Sequence, residues 1–144
     1  MRINQVVDIE APPERVWPYL EEPDKIMGWF ATMQLFRWTS EPGGVGSTFR
    51  WVEETAGRNV RVIAETTEWR PPNVFGFRMT EGDFDVYEAR WTVEPTDTGF
   101  RVAAEAQIKL SFGSGMLFSP LFAHNLRKRT SESLQNLRRL AEQN

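Results

Sequence analysis

Glu53 and Asp85 are the two carboxylates whose positions invite acid–base chemistry. Glu53 shares strand parity with Phe49 and Trp51, and Asp85 shares it with Tyr87 and Trp91. A carboxyl group held among indole rings is poorly solvated, so its pKa rises toward the range where it can give and take a proton. Both stand near strand ends, where the competing arrangement is a solvated carboxylate. Tyr87 lies mid-strand and offers a phenolic donor to a carbonyl oxygen. These three form the catalytic candidate set, and it is a weak one. His124 is the single histidine, a residue type suited to proton transfer, but a lone histidine at a helix start more commonly serves packing or the surface. The chain has no cysteine, which removes disulfides, thiol nucleophiles and thiolate metal sites. One histidine also removes multi-histidine metal centres, so no metal and no cofactor is expected. Gly43-Gly44-Val45-Gly46 is not a phosphate loop, because it lacks a Lys-Ser/Thr ending and joins two strands.

A second constellation is aromatic. Trp38, Trp51, Phe77, Tyr87 and Trp91 fall on strand faces assigned to the interior. Trp29 and Phe122 come from helical segments at either end, and Asn125 could add a side-chain amide. A cavity with this lining would stack flat, apolar ligands. These eight residues are the ligand-binding candidates. The competing arrangement is a core that the rings simply fill, with Trp51 and Trp91 the better candidates for contact.

The elements that must position these groups follow from hydrophobic period. Ile3, Val7 and Ile9 share one face of an opening strand, with Val6 on the other. Ala11-Pro12-Pro13-Glu14 starts a short helix, limited by Pro18, and a second short helix follows Pro23-Asp24. From Thr32 the period changes to two. Gln34, Phe36 and Trp38 alternate with Met33, Leu35 and Arg37, and further alternating runs are divided by turns at 42–46, 56–57, 71–73, 81–83 and 95–99. The cleanest strand has Phe100, Val102, Ala104, Ala106, Ile108 and Leu110 on one face. Mid-strand Arg37 and Arg90 are expected on the outer face, paired across strands with glutamates. Ser119–Asn144 is the one long helix, with Phe122, Leu126, Ser133, Leu134, Leu137, Leu140 and Ala141 as its apolar side. Arg127-Lys128-Arg129 points in three directions and reads as a solvated face. The lead-in Phe112-Gly113-Ser114-Gly115 turns the corner into this helix.

At 144 residues the chain is most simply one domain, 1–144. Its net charge is -3, and Ser119–Asn144 is basic, which leaves the body acidic. An acidic body argues against a nucleic-acid partner. The N-terminus lacks a signal-peptide core, and no apolar run approaches a membrane span. The expectation is a cytoplasmic protein with no integral membrane association, monomeric or homodimeric. Its fold class is α+β, with about seven antiparallel strands, two short helices after the first strand and a long C-terminal helix across the concave face.

Ile9-Glu10-Ala11-Pro12-Pro13-Glu14-Arg15-Val16-Trp17-Pro18-Tyr19-Leu20, with Asp24 and Trp29, resembles the opening of the START-like (SRPBCC) superfamily. The resemblance is to its polyketide cyclase/dehydrase and activator-of-heat-shock-chaperone-ATPase branches. Ile26-Met27-Gly28-Trp29 departs from the Tyr-Pro-x-Phe-like element of the lipid-quinone branch. The resemblance implies a helix-grip fold with a cavity between sheet and helix, its mouth near the glycine lead-in at 112–115. It carries little chemistry, because one scaffold hosts carriers, receptors, enzymes and chaperone cofactors. Three functions follow as expectations. The leading one is binding of a small hydrophobic molecule, aromatic or polyketide/lipid-like. The others are a cyclase/dehydratase-type enzyme using the same cavity, and a chaperone-cofactor-like interaction module.

Overall fold

Seven strands of period-two sequence pair in one antiparallel sheet, in the order β1-β7-β6-β5-β4-β3-β2. The computed structural model describes residues 1–55, 57–110 and 120–143. The strands are β1 (Arg2–Ile9), β2 (Met33–Trp38), β3 (Thr48–Thr55), β4 (Arg58–Arg70), β5 (Val74–Gly82), β6 (Phe84–Pro95) and β7 (Phe100–Leu110). Between β1 and β2 lie three short helices, α1 (Pro13–Val16), α2 (Pro18–Glu21) and α3 (Pro23–Trp29). Each starts at a proline, whose fixed φ and missing N–H suit a first helical turn. The first of the two expected helices is therefore split in two at Trp17-Pro18. The long helix α4 runs Pro120–Glu142. The proposed glycine corner and mouth, residues 112–115, lie outside the described residues.

The sheet is curled rather than flat. β3 and β6 are separated by two strands, which is about 14 Å in a flat sheet. Yet the rings of Trp51 on β3 and Tyr87 on β6 meet with centroids 5.2 Å apart. α4 crosses the concave side. Its first half meets β3 through Arg129 and Glu53, and its end reaches the other edge, where Glu142 accepts from the Glu10 N–H. Phe122, Leu126, Thr130, Ser133, Leu134, Leu137 and Ala141 form its buried stripe, and Leu140 is half-buried.

Two irregularities change which side chains face inward. A register shift between Met33 and Leu35 gives β2 a bulge, so Met33 and Phe36 turn to the interior while Gln34 is exposed. A second shift between Phe84 and Val86 breaks the parity of β6. Phe84 and Tyr87 are buried, three residues apart, and Asp85 is exposed.

On the outer face, Arg90 pairs with Glu68 at 2.8 Å, as the sequence suggests for a glutamate partner. The pair reaches over β5 at Gly76, where a Cβ would lie 3.1 Å from the Glu68 Cβ. Arg37 departs from its expectation, because the residue opposite it is Arg50. At the β2–β3 turn, Gly43 has φ +84, and a Cβ there would stand 2.8 Å from the Trp69 ring. Gly43→Ala is expected to cost about 1–3 kcal/mol through left-handed backbone strain alone, with the indole contact adding to it. Urea unfolding measures it, and an unchanged midpoint would show that the turn does not hold Trp69.

Candidate functional site

The concave face gathers rings from three strands. Trp51 packs edge-on to Phe77 and Tyr87, at 5.5 and 5.2 Å, and Phe77 packs edge-on to Trp91 at 5.4 Å. Parity explains the grouping, since each ring occupies an inward position of its strand. These four residues line an interior cavity with Phe30, Met33 and Phe36. Ala89, Ala104 and Ala106 complete the wall where neighbouring inward positions carry larger side chains. The cavity volume is about 30 Å³. That is the space of about one water molecule and well below the usual few hundred Å³ of a ligand pocket.

At one wall sits an ion pair. Glu53 is 1% exposed and Arg129 4% exposed, and Arg129 Nη1 donates to Glu53 Oε2. Thr32 Oγ1 donates to the same oxygen at 3.4 Å, and Trp51 Nε1 donates to Oε1 at 3.3 Å. The Trp51-x-Glu53 spacing places both side chains on the same inward face. Arg129 lies with its guanidinium carbon 5.0 Å from the Phe30 ring centre, where a cation meets the negative face of the ring. Its Nε is buried and has no hydrogen-bond partner among the described residues. Burial pushes the Arg129 guanidinium down to about 9, which still leaves it protonated at neutral pH. The adjacent carboxylate favours that charged form.

α4 is held at this level by its own serine. Ser133 Oγ donates to the Arg129 carbonyl at 2.7 Å and accepts from the Ala31 N–H at 2.9 Å. The connection from α3 into β2, which supplies Phe30, Thr32 and Met33, is thereby tied to the turn of helix that carries Arg129.

The candidates from the sequence divide into four positions. Trp51, Phe77, Tyr87 and Trp91 line the cavity. Trp29 lies behind it, against Phe30 and Trp91, with Nε1 donating to the Tyr19 carbonyl at 2.6 Å. Trp38 is half-buried toward Trp69, and donates to the Glu21 carbonyl. Phe122 is fully buried and Asn125 half-buried on α4, away from the lining described. His124 is exposed.

Of the acid–base candidates, Tyr87 is in the wall, where burial raises its pKa above the ordinary phenol value. Glu53 is not a solvated strand-end carboxylate but a buried one, with both oxygens engaged. Asp85 does not join it, because the β6 bulge turns it out to solvent. Arg129 corrects the reading of Arg127-Lys128-Arg129 as a solvated face: Arg127 and Lys128 are exposed, and Arg129 is in the core. Its signal was present in the sequence. Position 129 is three residues after Leu126 and four before Ser133, on the apolar stripe itself. No group of metal-ligating side chains occurs among the described residues, and no described helix is long and apolar enough to cross a membrane.

A family model described as polyketide cyclase/dehydrase and lipid transport matches residues 1–142. No curated protein sequence matches. Among solved structures, TTHA0849 from Thermus thermophilus superposes with a TM-score of 0.83 at 26% identity, over 98% of this chain and 97% of that one. Ginseng major latex-like protein 151 from Panax ginseng gives 0.76 at 13% identity, over 98% and 97%. The di-domain ARO/CYC StfQ from the steffimycin biosynthetic pathway gives 0.74 at 14% identity, over 99% of this chain and 51% of that one. The last two likenesses concern the fold alone.

Proposed function

We propose, from the premise that the chain belongs to the polyketide cyclase/dehydrase and lipid transport family, that it binds a small hydrophobic molecule between the concave sheet and α4. Of the two branches that the opening residues resemble, this is the one whose model matches. The observation that carries the reading is the interior cavity, walled by Trp51, Phe77, Tyr87 and Trp91, with three alanines where rings could stand. Rings set edge to face offer a flat ligand both faces and edges to pack on.

A gap of about 30 Å³ holds no such ligand without movement of the wall. Met33 is the side chain best suited to give way, being unbranched with three rotatable bonds. Binding is accordingly expected to be slower than docking to a preformed pocket. Binding fits the site better than catalysis. Both Glu53 oxygens are occupied by Arg129, Thr32 and Trp51 rather than turned toward a substrate proton.

The test is native mass spectrometry of freshly purified protein, with thermal unfolding across a panel of hydrophobic compounds. A ligand at about a hundred times its Kd should raise Tm by about 5–10 °C. No co-purifying molecule and no shift with any compound would overturn the reading.

A further inference from the structure

We propose that the Glu53–Arg129 pair is the polar anchor of this cavity, and that the free edge of Arg129 selects a ligand carrying a neutral oxygen acceptor, such as a ketone or quinone carbonyl. The inference rests on the hydrophobic-ligand reading above and adds the chemistry that the ligand must present.

A cationic side chain in the core needs all its donors met, because an unmet buried donor keeps its full desolvation penalty. Arg129 has one edge committed to Glu53, and its Nε has no partner among the described residues. The same side chain lines the cavity. The lining also includes Phe30, which stacks on the guanidinium, with Met33, Phe36, Trp51 and Tyr87, and Thr130 lies beside Arg129 on the helix. Thr130 is committed to the Leu126 carbonyl at 2.9 Å, so its hydroxyl proton is not turned to the guanidinium. The cavity wall thus carries two donor side chains among its apolar ones, Arg129 with its unmet Nε and the phenol of Tyr87, and only the first is a buried charge. The cavity volume, about that of one water molecule, matches a single oxygen-sized group.

Charge decides the kind of oxygen. Glu53 and Arg129 cancel, so the site is neutral as it stands. An anionic ligand would leave one net charge buried in an aromatic wall, which is costly. A hydrocarbon would leave Nε unmet. A neutral carbonyl accepts the N–H and adds no charge.

The experiment is equilibrium dialysis of the full chain at about pH 7 with three probes of matched size. These are 2-acetylnaphthalene, the hydrocarbon 2-isopropenylnaphthalene and 2-naphthoate. The ketone should bind about tenfold or more tighter than the hydrocarbon, as expected for a hydrogen bond to a charged donor. It should also bind tighter than the carboxylate. In a Glu53→Leu, Arg129→Met double variant, shown folded by cooperative thermal unfolding, the ketone-to-hydrocarbon ratio should fall to about one. Equal binding of ketone and hydrocarbon by the wild type would overturn the anchor while leaving the hydrophobic-site reading standing. So would tightest binding of naphthoate, or a ratio that survives in the double variant. Binding of none of the three would overturn the hydrophobic-site reading and the anchor with it.

Discussion

Arg129→Met alone should lower stability by about 3–5 kcal/mol, and Glu53→Leu alone by a similar amount, because each leaves an uncompensated charge in the core. The double variant, Glu53→Leu with Arg129→Met, should be as stable as wild type or more so. The reason is a balance of large terms. Two charges that are 1% and 4% exposed have lost their hydration. Their mutual attraction, with Thr32 and Trp51 donating to the carboxylate, recovers much of that loss. The unmet Arg129 Nε is a remaining penalty that an apolar replacement removes. Urea unfolding of the four proteins closes a double-mutant cycle with a coupling of several kcal/mol. Near-additive losses would mean that the two side chains do not share one desolvated site. A pair that stability alone would let the protein replace, yet whose arginine lines its cavity, is better accounted for by what it binds.

The parts legible in the sequence were those set by local period. Alternation from Phe100 to Ile108, and the Trp51-x-Glu53 and Tyr87-x-x-x-Trp91 spacings, placed the rings inward because a strand has only two faces. Prolines 13 and 23 marked helix starts by the same local logic, whereas Pro18, read as the limit of the first helix, starts one of its own. The inward and outward assignments that failed in β2 and β6 came from events that alternation cannot carry. A bulge adds one residue to one strand, and in β6 it left Tyr87 inside while turning Asp85 out. In β2 it did the reverse service for Met33, which an unbroken alternation had set opposite Phe36. Arg129 failed for another reason. Composition assigns an Arg-Lys-Arg run to solvent, whereas helical phase assigns its third member to the core, and phase prevailed because Glu53 waits opposite. Neither residue signals the pair alone. Glu53 and Arg129 are far apart in the chain, and only the crossing of α4 over β3 brings them together.

Trp51→Ala should cost about 3–5 kcal/mol and abolish binding of 2-acetylnaphthalene, while Trp51→Phe should cost clearly less and weaken binding without abolishing it. Trp51 is 3% exposed and touches Phe49, Phe77 and Tyr87, so truncation leaves a void whose lining cannot collapse across a curled sheet. The same change removes the N–H that Glu53 Oε1 accepts. Phenylalanine keeps most of the ring contact and loses that donor, so the two variants separate packing from the hold on Glu53. Binding adds the functional half. If Trp51 is only core, Trp51→Ala enlarges an apolar cavity, and a flat ligand should then bind as well as before or better, since dry engineered cavities take up small aromatics. If it is a wall that stacks the ligand and orients the carboxylate behind Arg129, affinity should be lost despite the added room. Urea unfolding together with equilibrium dialysis on both variants distinguishes the two. Unchanged or tighter binding by a folded Trp51→Ala protein would remove Trp51 from the site and leave the anchor to Arg129 alone.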